Sequence, residues 1–234
     1  AQDDGTTKNW SHSANWSDAS GNPISGYPNI KGDNAFFEID AADVTIDRYV
    51  RMGKITIKSG YSGTINVDGY TLNATKGFVQ HNGTVLIHAN SDFKVHGGAA
   101  TLYNNATITS QGNNSNIKIQ HNLIFYSGTT INAPGPNSSF EVRGGFRNEG
   151  GTFNHNSGTL VMNTRPTWGE AMVKVTGTGS FYNIDFRAAV NKRLHSDITV
   201  DNDLFIRGNG DLIGGNGTGG KNITIKGNWW QQSG

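Results

Sequence analysis

The sequence predicts an all-β chain folded as a right-handed parallel β-helix, with three short strands in each coil of about 23 residues. Three observations predict it: a turn-rich composition, apolar beads only three to five residues long, and the return of those beads at one period. The 234 residues include 32 Gly, 28 Asn and 39 Ser plus Thr, which leaves few strong helix formers. The beads are plain in "GGFRNEGGTFNHNSGTLVMN", residues 144–163. Within a bead the side chains alternate as in a strand, so that in "FKV" Phe93 and Val95 point one way and Lys94 the other.

The recurrence has three columns. Beads of the "GTI" kind place Ile65, Val85, Ile108, Ile131 and Phe153 at steps of 20, 23, 23 and 22. A second column runs through Phe93, Ile117 and Phe140, and a third through Val79, Leu102, Ile124 and Phe146. Like beads lie a whole coil apart, so they cannot be hairpin partners and pair in parallel with the next coil. At an interstrand spacing of about 4.8 Å, roughly ten coils would make a rod on the order of 50 Å long. Corners need residues that accept positive φ, and "HGG", "QHN" and "RGG" supply them. Asparagine amides can also form ladders from coil to coil.

Along the chain, residues 1–43 read as an N-terminal cap and 44–234 as coils. Trp10 and Trp16, followed by Pro23 and Pro28, would cover the first coil's core and its pairing edge. The alternative is that these rings, with Tyr27, form a platform for sugars. Between 163 and 180 the rhythm falters around Pro166 and Trp168, which reads as a coil with a protruding loop or as a longer turn, and it resumes at Ile198 and Ile223. The stretch "ITIKGNWWQQSG", with Trp229 and Trp230, lacks a comparable cap. Either the natural chain continues past Gly234 or another molecule covers this edge, and the second case makes a head-to-tail filament.

Charge and composition exclude some classes. Nineteen basic and 18 acidic residues give a formal net charge of +1 without a basic stripe, so nucleic-acid binding has no electrostatic support. No apolar run approaches a bilayer span, and no membrane insertion is expected. The absence of cysteine excludes disulfides and thiolate metal sites. The start "AQDDGTTKNW" is what a mature chain shows once a secretion signal is removed. Nine Asn-x-Ser/Thr sequons begin at Asn9, Asn15, Asn73, Asn82, Asn105, Asn113, Asn137, Asn216 and Asn222. Chance gives roughly five in this composition, so the excess favours a secreted, glycosylated surface.

With the repeat in view, "ANWSDASGNPISGYPNIKGDNAFF", "GGTFNHNSGTLVMN", "GTGSFYNIDF" and "LHSDITVDNDLFI" make the chain resemble the repetitive right-handed β-helix surface proteins of bacteria, adhesin-like and autotransporter-passenger-like. The resemblance covers most of the chain and implies export to the cell surface, with roles in adhesion, matrix or appendage building. Polysaccharide lyases share the architecture, and fold alone does not decide between these roles.

Catalytic constellations are thin. Asp3 and Asp4 are adjacent in a terminal segment, and Asp201 and Asp203 share a strand face without an acidic partner in the next coil. His81, His96, His121 and His155 fall at corners and read as turn residues, with no metal-ligand spacing. "GNGDLIGGNGTGG" lacks the helix that phosphate binding requires and reads as turns. Thr64, Thr84, Thr107, Thr130 and Thr152 stack outward in a line, the ordinary behaviour of a β-favouring residue. A further outward column, Lys94, Lys118 and Glu141, reads as solvent-exposed charge.

The expectation is therefore a secreted, non-enzymatic structural protein of the cell surface, without cofactor, that stacks head to tail with copies of itself into a filament or matrix. The alternative is an adhesin domain that binds surface polysaccharide. The candidate contact residues are Trp10, Trp16, Tyr27, Trp168, Trp229 and Trp230. A lyase or hydrolase is the third reading.

Overall fold

A computed structural model describes residues 9–40, 42–164, 170–187, 190–215 and 219–232. They form a parallel β-solenoid of about eight turns with three strands per coil, and the described helical structure is one 3-10 turn, Ser13–Asn15. Eight turns is fewer than the ten expected from the period, because the described coil strands begin only at Ala35. The first of them, Ala35–Asp40, lies inside the 1–43 segment and pairs in parallel with the end of Val50–Tyr61.

One coil shows the plan. Asp92–Val95 lies on a first face, Ala100–Leu102 on a second and Thr107–Ser110 on a third, after which Asn116–Ile119 returns to the first. Every strand-to-strand pairing among the described residues is parallel. In the early coils the first two faces are one bent strand: Thr71–Gln80 pairs at its start with Asp92–Val95 and at its end with Ala100–Leu102. From Gly97 onward the bend opens into a corner. A Cβ at Gly97 would sit 1.7 Å from the carbonyl oxygen of Thr75, so the close approach of adjacent coils admits only glycine there. Asparagine fills other corners in the left-handed conformation, at Asn90, Asn104, Asn114 and Asn156.

The expected columns on the first and third faces match the register. Val44, Ile65, Val85, Ile108, Ile131 and Phe153 stack in line on the third face. Leu72, Phe93, Ile117, Phe140, Leu160, Ile184 and Leu204 do so on the first, all essentially excluded from water. The outward threonine line stacks as expected, and beside it Asn66, Leu86, Thr109, Asn132 and Asn154 form a second rank, in which the amide of Asn154 donates to Asn132 Oδ1 at 2.7 Å while Asn132 donates to Thr109 Oγ1 at 2.9 Å.

The third expected column is corrected. Val79, Leu102, Ile124 and Phe146 keep the period but do not share a row: Val79 pairs with Thr101, and Ile124 with Thr101 and Arg147. The inward rows are Phe78, Ala100, Leu123, Phe146 and Val173, and beside them Gln80, Leu102, Phe125 and Asn148. Val79 and Ile124 face outward. Two polar residues thus enter the core, and each is held by the backbone around it. Gln80 donates from Nε2 to the carbonyl of Gly83 at 2.8 Å, and Asn148 donates to Thr178 O at 3.2 Å while accepting from Gly150 N.

The described part of the 163–180 segment belongs to the coils. Ala171–Val175 is the second-face strand, in parallel between Phe146–Glu149 and Lys192–Leu194, and residues 165–169 lie outside the described residues. Phe146 anchors this region, with its ring 5.4 Å from Phe125, 5.2 Å from Phe153 and 5.2 Å from Phe181. Offset and edge-to-face contacts of this kind add about 0.5–1.5 kcal/mol per pair beyond burial.

Candidate functional site

The two N-terminal tryptophans roof the first coil. Trp10 is fully buried and Trp16 is 4% exposed; their rings stand 4.6 Å apart and both press on Phe37. Trp10 Nε1 donates to Pro28 O and Trp16 Nε1 donates to Trp10 O, so both indole donors are satisfied internally. Neither ring offers a face to a ligand. Tyr27 packs half-buried against the core, with Arg48 donating to its hydroxyl at 2.9 Å and lying over its ring. Hydrogen bonds close the same end: Asn9 bridges to Thr45, and the backbone amides of Arg51 and Lys54 donate to the side-chain oxygens of Asn29 and Asn34.

The far end is different. Trp229–Gln232 pairs with Leu204–Arg207, and all four of its residues are exposed. Trp229 continues the inward column above Leu204 yet is 51% exposed, while Trp230 faces outward and is 53% exposed. Trp168 lies outside the described residues.

The sequons divide by burial. Asn9, Asn105, Asn113, Asn137 and Asn222 are exposed and Asn82 is intermediate. Asn15 and Asn73 are each 4% exposed, with their amides donating to Asn9 O and the Tyr49 hydroxyl. Asn216 lies outside the described residues.

The acidic candidates separate. Asp201 accepts from Lys226 Nζ at 2.6 Å and from the Ser180 hydroxyl, with His155 Nε2 at 3.4 Å, and these partners, Lys226 first, hold its carboxyl below the ordinary value. Asp203 instead caps the turn before the last strand, accepting from the amide and side chain of Asn228. The two carboxylates do not converge. Asp3 and Asp4 lie outside the described residues. His81 stacks on Tyr103 at 4.8 Å, and Tyr103 on Tyr126 at 4.9 Å, an outward ladder at one corner. Among the described residues no group of three or more His, Asp or Glu is placed to hold a metal ion, and no helix is long and apolar enough to cross a membrane.

Outward charges are paired between and within coils. Glu141 accepts from Arg143 at 2.7 Å, from Asn163 at 3.0 Å, and pairs with Lys118 at 3.0 Å. Burial pushes its carboxyl up, but these partners outweigh burial and hold it below the ordinary value. Glu149 behaves alike between Lys174 and Arg147.

One concavity on the outer side of the first face brings groups together that periodicity did not single out. It is a groove of about 390 Å³ running past Ser139, Thr159, Asn183, Asp185, Arg187 and Arg207. A second recess of about 300 Å³ continues it between Phe205 and Trp230. Asp185 faces outward between Val161 and Phe205 but is 2% exposed, because Arg187 Nε donates to it at 2.8 Å and Arg207 Nε at 2.9 Å. A signal did exist in the sequence: Arg143, Arg187 and Arg207 all follow the second inward residue of a first-face strand, in "EVR", "DFR" and "FIR".

In comparisons with protein-family models, with curated protein sequences and with solved structures, none matches the chain.

Proposed function

We propose that the chain is a structural rod displayed outside the cell, without a catalytic role, which associates end to end with copies of itself. The observation that carries this reading is the contrast between the rod's two ends. Trp10 and Trp16 seal one, whereas at the other Trp229 stands in the inward column and is half exposed, so the last described strand offers an apolar surface that a further layer of the same geometry would cover. A solenoid edge with unpaired backbone and exposed apolar rings is completed by another layer. Further coils or a second copy cover it with the same geometry. The exposed sequons suit a chain that passes through a secretory route, and the resemblance to bacterial surface β-helix proteins supports display on a cell.

Sedimentation velocity over a concentration series tests the association. Growth in mass with concentration, reduced by Trp229→Asp, which places a charge in the open column, is the expected result. Strictly monomeric sedimentation at every concentration would remove the self-association and leave the scaffold.

A further inference from the structure

The groove on the outer first face has the composition of a binding site, and we infer that it takes a linear polysaccharide bearing carboxylate groups. Asp185 is nearly excluded from water and uses its two oxygens to hold two guanidiniums by their Nε atoms. The terminal nitrogens of Arg187 and Arg207 make no hydrogen bond to a described residue, and the two side chains are 53% and 46% exposed. One buried anion thus orients two cations, which leaves a local excess of positive charge. Guanidinium nitrogens fixed in this way present planar forks, and a carboxylate is the acceptor whose two oxygens match such a fork.

The neighbouring groups extend the site beyond a lone anion. Phe205 and Trp230 lie nearly parallel, 9° apart in plane with centroids 6.4 Å apart, and Arg207 stacks on Phe205 at 5.3 Å. Trp230 is 53% exposed beside the recess, and an aromatic surface of this kind packs against the apolar face of a sugar ring. On the other side of the forks, Ser139, Thr159 and Asn183 supply hydroxyl and amide groups. From the strand after Ser139 to the strand of Trp230 is four coil steps, about 19 Å at the interstrand spacing, so the groove matches an extended chain better than a compact ion. Hydroxyls, then carboxylate forks, then an aromatic surface in line describe a polyuronate laid along the rod axis. The guanidinium forks are on the side of the rod, one and two coils in from the end strand, so the carboxylate contact does not require end-to-end association.

The test is calorimetric titration of the chain, held at a concentration where it sediments as one species, with alginate oligosaccharides and with the same oligosaccharides after reduction of their carboxyls to alcohols. Binding of the uronate form is expected, with at least about tenfold weaker binding of the reduced form, the scale of a lost charged hydrogen bond. Arg187→Lys and Arg207→Lys keep the charge beside Asp185 and remove the fork, and each is expected to weaken uronate binding several-fold at an unchanged melting temperature. Trp230→Ala, at an exposed position, is expected to weaken both forms. The inference is overturned if the uronate does not bind, if the reduced form binds equally well, if polyphosphate of matched charge competes on equal terms, or if the Lys and Ala variants bind as the parent does.

Discussion

Phe125 and Ile124 are neighbours in one strand, and replacing each by alanine is expected to cost very different amounts. Phe125 is fully buried, and its ring meets Phe146 edge to face at 5.4 Å, with an interplanar angle of 79°. Truncating a buried phenylalanine costs about 3–5 kcal/mol through lost burial and the cavity left behind. The broken pair with Phe146 places Phe125→Ala toward the upper part of that range. Ile124 stands on the outer side of the same strand, beside Thr101 and Arg147, where shortening it leaves no internal cavity. Its loss is expected to stay near 1 kcal/mol or below. Urea unfolding of the two variants measures the difference, and because a coil array need not unfold in one step, amide hydrogen exchange of Leu102 and Asn148, which flank the site, supplies the local stability. Equal costs, or a larger loss for Ile124→Ala, would refute the register assigned to the second face.

Other predictions follow from particular contacts. Gly97→Ala forces a methyl against the Thr75 carbonyl and is expected to cost more than about 3 kcal/mol, whereas Gly32→Ala, with open space around the new carbon, should stay within about 0.5 kcal/mol; thermal melts separate the two. Glu141 has a folded pKa below its unfolded one, so its contacts stabilise the chain above the ordinary carboxylate range, and that contribution is lost as pH falls through the folded value. Acid unfolding of Glu141→Gln should accordingly show a weaker pH dependence than the parent. A Trp168→Phe/Trp229→Phe/Trp230→Phe chain retains only Trp10 and Trp16, and its fluorescence should be blue-shifted and resist acrylamide, since both rings lie in the roof of the first coil.

The sequence carried the first and third faces because most of their beads isolate their apolar residues between Thr, Asn or Lys, as in "GTINV" and "SDFKV". Alternation then assigns each side chain to a side without ambiguity. The second face was legible in period and not in phase. "GFVQ" and "LIFY" are apolar on both sides of the strand, and a one-residue slip exchanges inside for outside. The preference for apolar interiors then worked against the correct choice, because Gln80 and Asn148 are the inward residues, each donating from its amide nitrogen to neighbouring backbone. Tryptophan position was readable at the first coil, where Trp10 and Trp16 sit close enough in sequence to meet. The groove was not readable as a unit, since Asn183, Arg207 and Trp230 belong to successive coils and only the stacking of those coils places them side by side.

Negative-stain electron microscopy of the purified chain across a concentration series tests the structural reading most directly. Eight turns at about 4.8 Å give a stack of roughly 40 Å. The account predicts particles that lengthen along the rod axis as concentration rises, at constant width, and that shorten again in Trp229→Asp. Single rods near one stack in length at every concentration, indifferent to that substitution, would contradict it.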